Sequence, residues 1–102
     1  MAMNDAGPAV NLVVMLTARD PGSLGELREL LATQVGMSRQ EPGCERFEVL
    51  ESESPAGTFI VVERWSSAAA LERHRQAQAI TTVYVPKILP LVERVLHRCS
   101  VL

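Results

Sequence analysis

Strand, helix, strand, strand, helix, strand is the order of elements legible in this chain of 102 residues. It predicts an α+β fold of the ferredoxin-like βαββαβ type. Three observations carry the prediction. Residues 10–19, 44–52, 58–65 and 91–102 have the apolar, β-branched composition of strands, set between Gly- and Pro-containing turns. Leu27, Leu31 and Val35 recur at helical spacing. Pro55-Ala56-Gly57 turns the chain back between the second and third strands, which predicts an antiparallel hairpin.

Residues 1–9 are small and polar with a Gly-Pro pair, and read as a flexible N-terminal arm before a domain over residues 10–102. Residues 10–19 read as a central strand stopped by Asp20-Pro21-Gly22. Ser23 and Glu26 have capping-box spacing, so a helix is expected from about Leu24. Leu24 and Leu30 widen its apolar stripe, Gly36 weakens its last turn, and Glu41-Pro42-Gly43 ends it. In the next strand Phe47 and Val49 share one face while Arg46, Glu48 and Leu50 share the other. Ser66 or Ser67 caps the second helix, whose apolar face holds Ala70, Leu71 and Ala77, with His74 three residues after Leu71 and therefore turned inward. Residues 80–85 are expected to continue that helix until Pro86, which begins a fresh short turn through Leu89, and Pro90 closes it.

Two helices on one face leave the other face of a four-stranded sheet open. Val14, Leu16, Ile60, Val62, Val95 and Val101 exceed what two helices cover, and an exposed apolar sheet face is a liability in a monomer. A homodimer stacked sheet on sheet is the expected partner arrangement.

Hydrophobic residues make up 47% and charged residues 22%, so the chain has the composition of a soluble globular domain. No apolar run approaches the ~20 residues that span a bilayer. The net charge of −2 is interleaved rather than blocked, and without a basic stripe a nucleic-acid partner is set aside. The opening residues lack the basic start and apolar core of a signal peptide, which makes the cytoplasm the expected location. Cys44 and Cys99 are too few for a disulfide scaffold and are expected as small buried hydrophobes. No Cys or carboxylate joins His74 and His97 at a metal-site spacing, so no metal is expected.

The stretch over residues 58–74, TFIVVERWSSAAALERH, puts a tryptophan and a histidine where strand and helix face each other. That suggests a small cavity for an aromatic ligand. Trp65 shares a strand face with Val61 and Glu63, and its ring offers a wall for the ligand and its N–H a donor to a ligand oxygen, or it is a large core residue. Glu63, costly to bury alone, either pairs with an arginine or accepts a substrate hydroxyl proton. Tyr84 presents a phenol to the same cavity or simply packs, and His97 reads as surface or interface.

Glu41-Pro42-Gly43-Cys44 leading into Arg46-Phe47-Glu48, then Val62-Glu63-Arg64-Trp65, then Ala70-Leu71-Glu72-Arg73-His74 resembles the antibiotic biosynthesis monooxygenase domain. The resemblance covers about residues 12–91. It implies a dimeric α+β barrel and, for the better-understood members, oxidation of quinol-like or polyketide phenols by dioxygen without flavin, metal or haem. The chain departs from many relatives at Ala79, where they have a second histidine, and at Phe47, where they have tyrosine. It departs from the polyketide-oxidising branch at Val61, where that branch has asparagine, and its residues point away from haem degradation. Cofactor-free oxygenation needs a base, a dry pocket and an orienting group. His74 is the expected base, because an imidazole titrates near neutrality, or else it is a core-edge histidine bonded to a backbone carbonyl. Trp65 is the expected orienting wall, and Glu63, Phe47, Tyr84 and Val61 the expected substrate contacts. The expected activity is a cofactor-independent monooxygenase acting on a small phenolic, quinol or polyketide-like substrate. The alternatives are a dimeric ligand-binding module without chemistry and an isomerase using the same base.

Overall fold

The computed structural model describes residues 7–102, so the first six residues of the expected arm lie outside the described residues. Strands β1 (Val10–Ala18), β2 (Cys44–Glu51), β3 (Thr58–Trp65) and β4 (Val92–Cys99) form one antiparallel sheet in the order β2-β3-β1-β4. Helix α1 (Leu24–Ser38) joins β1 to β2, and α2 (Ala68–Gln76) follows β3. The chain then runs through a π-helical segment (Ala79–Ile88) and a 3-10 turn (Leu89–Leu91) into β4. This is the expected α+β, ferredoxin-like architecture, and the β2–β3 hairpin is present.

Alternation along the strands divides the sheet into two faces. Val10, Leu12, Val14 and Leu16 of β1 lie buried beneath the helices with Phe59, Val61, Glu63 and Trp65 of β3. Phe47 of β2 and Leu27, Leu31 and Ile88 from the covering segments complete the core. Each such apolar side chain stabilises by roughly 1.5–3 kcal/mol when fully buried. Val14 and Leu16, expected to crowd the uncovered face, are therefore corrected to the core, because strand parity separates them from Val13 and Met15. On the uncovered face Leu50, Ile60, Met15 and Val95 stand side by side across all four strands, and Val62 and Val13 pair in the next row. Leu50, Met15 and Val95 are exposed there. Val101 lies beyond the end of β4.

Three local expectations need correction. The capping box does not form: Pro21–Ser23 make a 3-10 turn capped by Asp20, so Ser23 is already helical when α1 begins. Its hydroxyl donates back to the Asp20 carbonyl at 2.7 Å instead of capping α1. The buried positions of α1 are Leu27, Leu31, Gln34 and Ser38, and Val35 is only half-buried. A strict four-residue step drifts around a 3.6-residue helix by about 40° each time, so the buried line passes through position 34 rather than 35. Finally, the second helix does not run on to Val85. Ala77 is extended at ψ 163° and breaks it, and the backbone resumes as a wider helix with Pro86 inside rather than at a new start.

Candidate active site

The turn Glu41-Pro42-Gly43 does more than stop α1. Gly43 has φ +84°, and a Cβ placed on it would lie 2.5 Å from Ala70 Cβ and 2.8 Å from Ser66 Oγ. Only glycine permits both the left-handed backbone and the close approach. The Ser66 N–H donates to the Gly43 carbonyl at 2.8 Å, fastening the turn to the start of α2, where Ser67 accepts from the Ala70 N–H. The same approach brings Glu41 to the inner face of α2.

There the Glu41 carboxylate meets His74, with Oε1 2.7 Å from Nδ1. His74 is 4% exposed, as its helical position led one to expect. A carboxylate only accepts, so Nδ1 carries a hydrogen, and Nε2 is the nitrogen left to exchange a proton with a ligand. Nε2 lies 3.9 Å from Oε1 of Glu63, which in turn accepts from the Trp65 indole N–H at 2.9 Å. The Trp65 ring stacks on the imidazole at 4.3 Å between centroids and 30° between planes, and Phe47 closes the group at 5.7 Å from His74. Burial pushes the Glu63 carboxyl above the usual range, and the hydrogen bond from Trp65 and the charges of His74 and Arg94 oppose this only in part.

Beside this cluster is a cavity of about 280 Å³. Its apolar wall includes Leu12, Val14, Val61, Leu71, Ile80 and Leu96, and its polar groups include Gln34, Glu63, His74, Tyr84 and Arg94. Since a cavity of roughly 150 Å³ holds a benzene ring, this one has room for one or two fused rings. Arg94 Nε donates to the Tyr84 hydroxyl at 2.8 Å. Burial raises the Tyr84 phenol, with Arg94 pulling the other way. The wide turns of the π segment place Ile80, Tyr84 and Val85 along the same wall.

Of the residues singled out in the sequence, His74, Glu63, Tyr84 and Val61 line the cavity together. Trp65 and Phe47 do not. They are 0% and 1% exposed and form the floor behind the imidazole. Trp65 is thus corrected from ligand wall to support, because its ring is spent on His74 and its N–H on Glu63. Glu63 has the indole, not an arginine, as its hydrogen-bond partner. Cys44 is half-buried and Cys99 exposed, both free thiols, so the expectation of two buried cysteines fails at the edge strand. Glu41, Gln34 and Arg94 were not anticipated. Glu41 stands in the sequence as part of a helix stop and of the family motif without a role of its own, and Arg94 is reachable from its two-residue spacing to buried Val92. Among the described residues no group of three or more His, Cys, Asp or Glu side chains is arranged to hold a metal ion, and no helix is long and apolar enough to cross a membrane.

Comparison with known proteins follows the same residues. The sequence profile described as Antibiotic biosynthesis monooxygenase matches residues 10–84. Putative monooxygenase Rv0793 of Mycobacterium tuberculosis is 34% identical over 55 residues, so the match spans about half of each protein, 54% of this chain and 54% of that one. The solved structure of Rv0793 superposes with a TM-score of 0.83 at 25% identity, covering 92% of this chain and 95% of that one. PA3566 from Pseudomonas aeruginosa superposes with a TM-score of 0.85 at 25% identity, over 94% and 96% of the two chains. A structure described as an antibiotic biosynthesis monooxygenase shares the fold at a TM-score of 0.83 and 21% identity, over 91% and 98%. The matched span begins with β1 and ends at Tyr84 on the cavity wall, taking in the turn that carries Glu41 and the helix that carries His74, and the chain belongs to the antibiotic biosynthesis monooxygenase family.

Proposed function

We propose that this protein is a monooxygenase that oxidises a small phenolic, quinol or polyketide-like substrate with dioxygen, needing no metal or organic cofactor, with His74 as its base. The observation that carries this reading is the orientation of His74. Glu41 takes Nδ1, and Nε2 is left on the side of Glu63 in an apolar cavity of aromatic dimensions. A half-buried carboxylate at Nδ1 holds the ring and stabilises the imidazolium formed on proton transfer.

In this reading Nε2 removes a proton from an acidic substrate, and the carbanion or phenolate passes an electron to dioxygen. The resulting pair joins as a carbon-bound peroxide. Return of the proton from His74 and loss of water leave a new carbonyl, so one oxygen atom stays on carbon and the other leaves as water. An activated methylene plus dioxygen therefore gives a carbonyl plus water, the substrate supplying all four electrons. Arg94 and Tyr84 bind the developing oxyanion, and the apolar wall keeps bulk water from the peroxide. Phe47 and Trp65 contribute by holding the imidazole rather than by touching substrate.

The reading extends to the assembly. The domain, residues 10–102, works as a homodimer through the uncovered sheet face, in a cytoplasmic setting. Support comes from the apolar row Leu50, Ile60, Met15 and Val95 on that face.

The test is oxygen uptake by metal-stripped protein with a panel of hydroquinones and anthrones, wild type beside His74→Ala. Uptake is expected from the wild type, with a fall of about 10²- to 10⁴-fold in the variant, the usual worth of a general base. Equal uptake from both removes the role of His74. Turnover that persists without oxygen identifies an isomerase using the same base. Ligand-induced thermal stabilisation with no product identifies a binding module.

A further inference from the structure

On the helix-covered side of the sheet, β4 breaks the apolar pattern of its neighbours. Val92 is buried, and the positions that share its face are Arg94, Leu96 and Arg98, set beside Leu16, Val14 and Leu12 of β1. A charged side chain next to fully buried Leu16 is not what packing selects, and a break of this kind marks a functional demand. Arg94 stands on the wall of the cavity that holds His74 and Glu63. The exposed members of that wall, Arg75, Val85, Arg94 and Leu96, mark its mouth. Arg75 has a carboxylate of its own, Glu72 at 3.2 Å. Arg94 has none: among the described residues it forms no ion pair, and its one hydrogen bond runs from Nε to the Tyr84 hydroxyl at 2.8 Å. The acids around the cavity are engaged elsewhere, Glu41 by His74 and Glu63 by the Trp65 N–H. Arginine keeps its charge and carries five N–H donors in a fixed fork, so the edge formed by Nη1 and Nη2 offers donors with no protein acceptor. The bond to Tyr84, with the guanidinium carbon 6.0 Å from the centre of the phenol ring, holds that fork at the cavity instead of leaving it loose in solvent.

We infer that Arg94 is a specificity-determining residue whose Nη edge binds a carboxylate of the substrate, so that the site takes hydroxylated aromatic acids in preference to neutral phenols. This rests on the proposed aromatic-substrate reading of the cavity and narrows its substrate class. The ring and its hydroxyl enter the apolar interior toward His74, and the carboxylate stays at the mouth, where the fork meets it through two parallel N–H···O bonds. Such a ligand loses water from its apolar part alone, and its charge is paired and still partly hydrated, which avoids the cost of burying a lone carboxylate. The Nη donors that the carboxylate does not use remain for a developing oxyanion, and Tyr84, which accepts from Nε, keeps its own O–H to donate. A neutral phenol leaves the paired geometry of the fork to water and gains nothing from it.

The test is binding under argon, where oxidation cannot proceed. The ligands 4-hydroxy-1-naphthoate and 6-hydroxy-2-naphthoate carry the carboxylate at two distances from the hydroxyl. Each is titrated calorimetrically at neutral pH beside its carboxamide, which keeps the shape and removes the charge, and beside 1-naphthol. In the wild type at least one acid is expected to bind tenfold or more tightly than its amide, the scale of a charge-assisted hydrogen bond. In Arg94→Met and in Arg94→Gln that advantage is expected to fall below about threefold. Arg94 is exposed, so both variants are expected to fold as the wild type does, and either alone suffices for the comparison. A folded variant that keeps the full advantage of acid over amide overturns the inference. A wild type that binds 1-naphthol but holds acid and amide equally overturns this inference alone. Binding of none of these ligands by the wild type overturns the aromatic reading together with it.

Discussion

His74 is held at both edges by acids in different situations. Glu41 is 15% exposed at Nδ1, whereas Glu63, 8% exposed, faces Nε2 with its proton affinity raised by burial. A carboxyl whose folded-state pKa is raised binds its proton more tightly in the native protein. Its contribution to stability is therefore complete below the unfolded value of 4.5 and is lost as pH rises through the folded value. Glu63→Gln keeps an acceptor for the Trp65 N–H and has no proton to lose. Urea unfolding across pH 4–8 is expected to show wild type losing stability relative to Glu63→Gln above pH 4.5, with the variant the more stable near neutrality. Facing charges on His74, Glu41 and Arg94 are common to both proteins, so the difference between the two curves isolates Glu63. Parallel curves would mean that Glu63 is not desolvated as described.

The turn between α1 and β2 converts an unremarkable Glu-Pro-Gly sequence into half of the Glu41–His74 pair. Gly43 is what lets that turn lie on α2, so Gly43→Ala meets both a left-handed backbone and a 2.5 Å clash with Ala70. Destabilisation of about 1–3 kcal/mol is expected by denaturant titration, with a larger proportional loss of turnover because Glu41 is drawn away from Nδ1. Stability lost with turnover intact would show that the Glu41 contact is dispensable. The π segment acts in a complementary way. Breaking α2 at Ala77 and resuming with a wider turn sets Ile80, Tyr84 and Val85 against the cavity, in keeping with the frequent occurrence of π turns at functional sites.

The sheet has two unlike faces, and the uncovered one sets the expected assembly. Its central row runs Leu50, Ile60, Met15, Val95, flanked by Val62 and Val13 and then by Arg46, Arg64 and Glu93 nearer the ends. An apolar centre with a charged rim is the anatomy of a protein interface. Light scattering after size exclusion is expected to give a dimer for the wild type at micromolar concentration. Met15→Glu, which sets a charge in the middle of that row, is expected to give a monomer with its circular dichroism spectrum retained. A wild-type monomer would remove the dimer from the proposed function, while a dimeric Met15→Glu would move the interface to another surface.

Much of this was legible in the chain because it depends on local chemistry. Strand composition, the hairpin turn and the parity of β3 follow from period-two alternation. The inward direction of His74 follows from its spacing to Leu71 on one helix. Where the reading failed, the deciding distance spans elements. Four-residue spacing on α1 named Val35, while packing against the sheet followed the true helical pitch to Gln34. Trp65 was visible as a large aromatic beside a candidate base, but whether its N–H meets a ligand or a neighbour depends on where Glu63 points. By itself, then, the order of apolar runs and turns determined the α+β fold, the family resemblance and the histidine, since each is written in near neighbours. The partnership of Glu41 with His74, the place of Trp65 behind rather than within the cavity, and the arrival of Gln34 at the cavity wall came only from folding. They depend on segments far apart in the chain meeting within a few ångströms, and no local pattern records that distance.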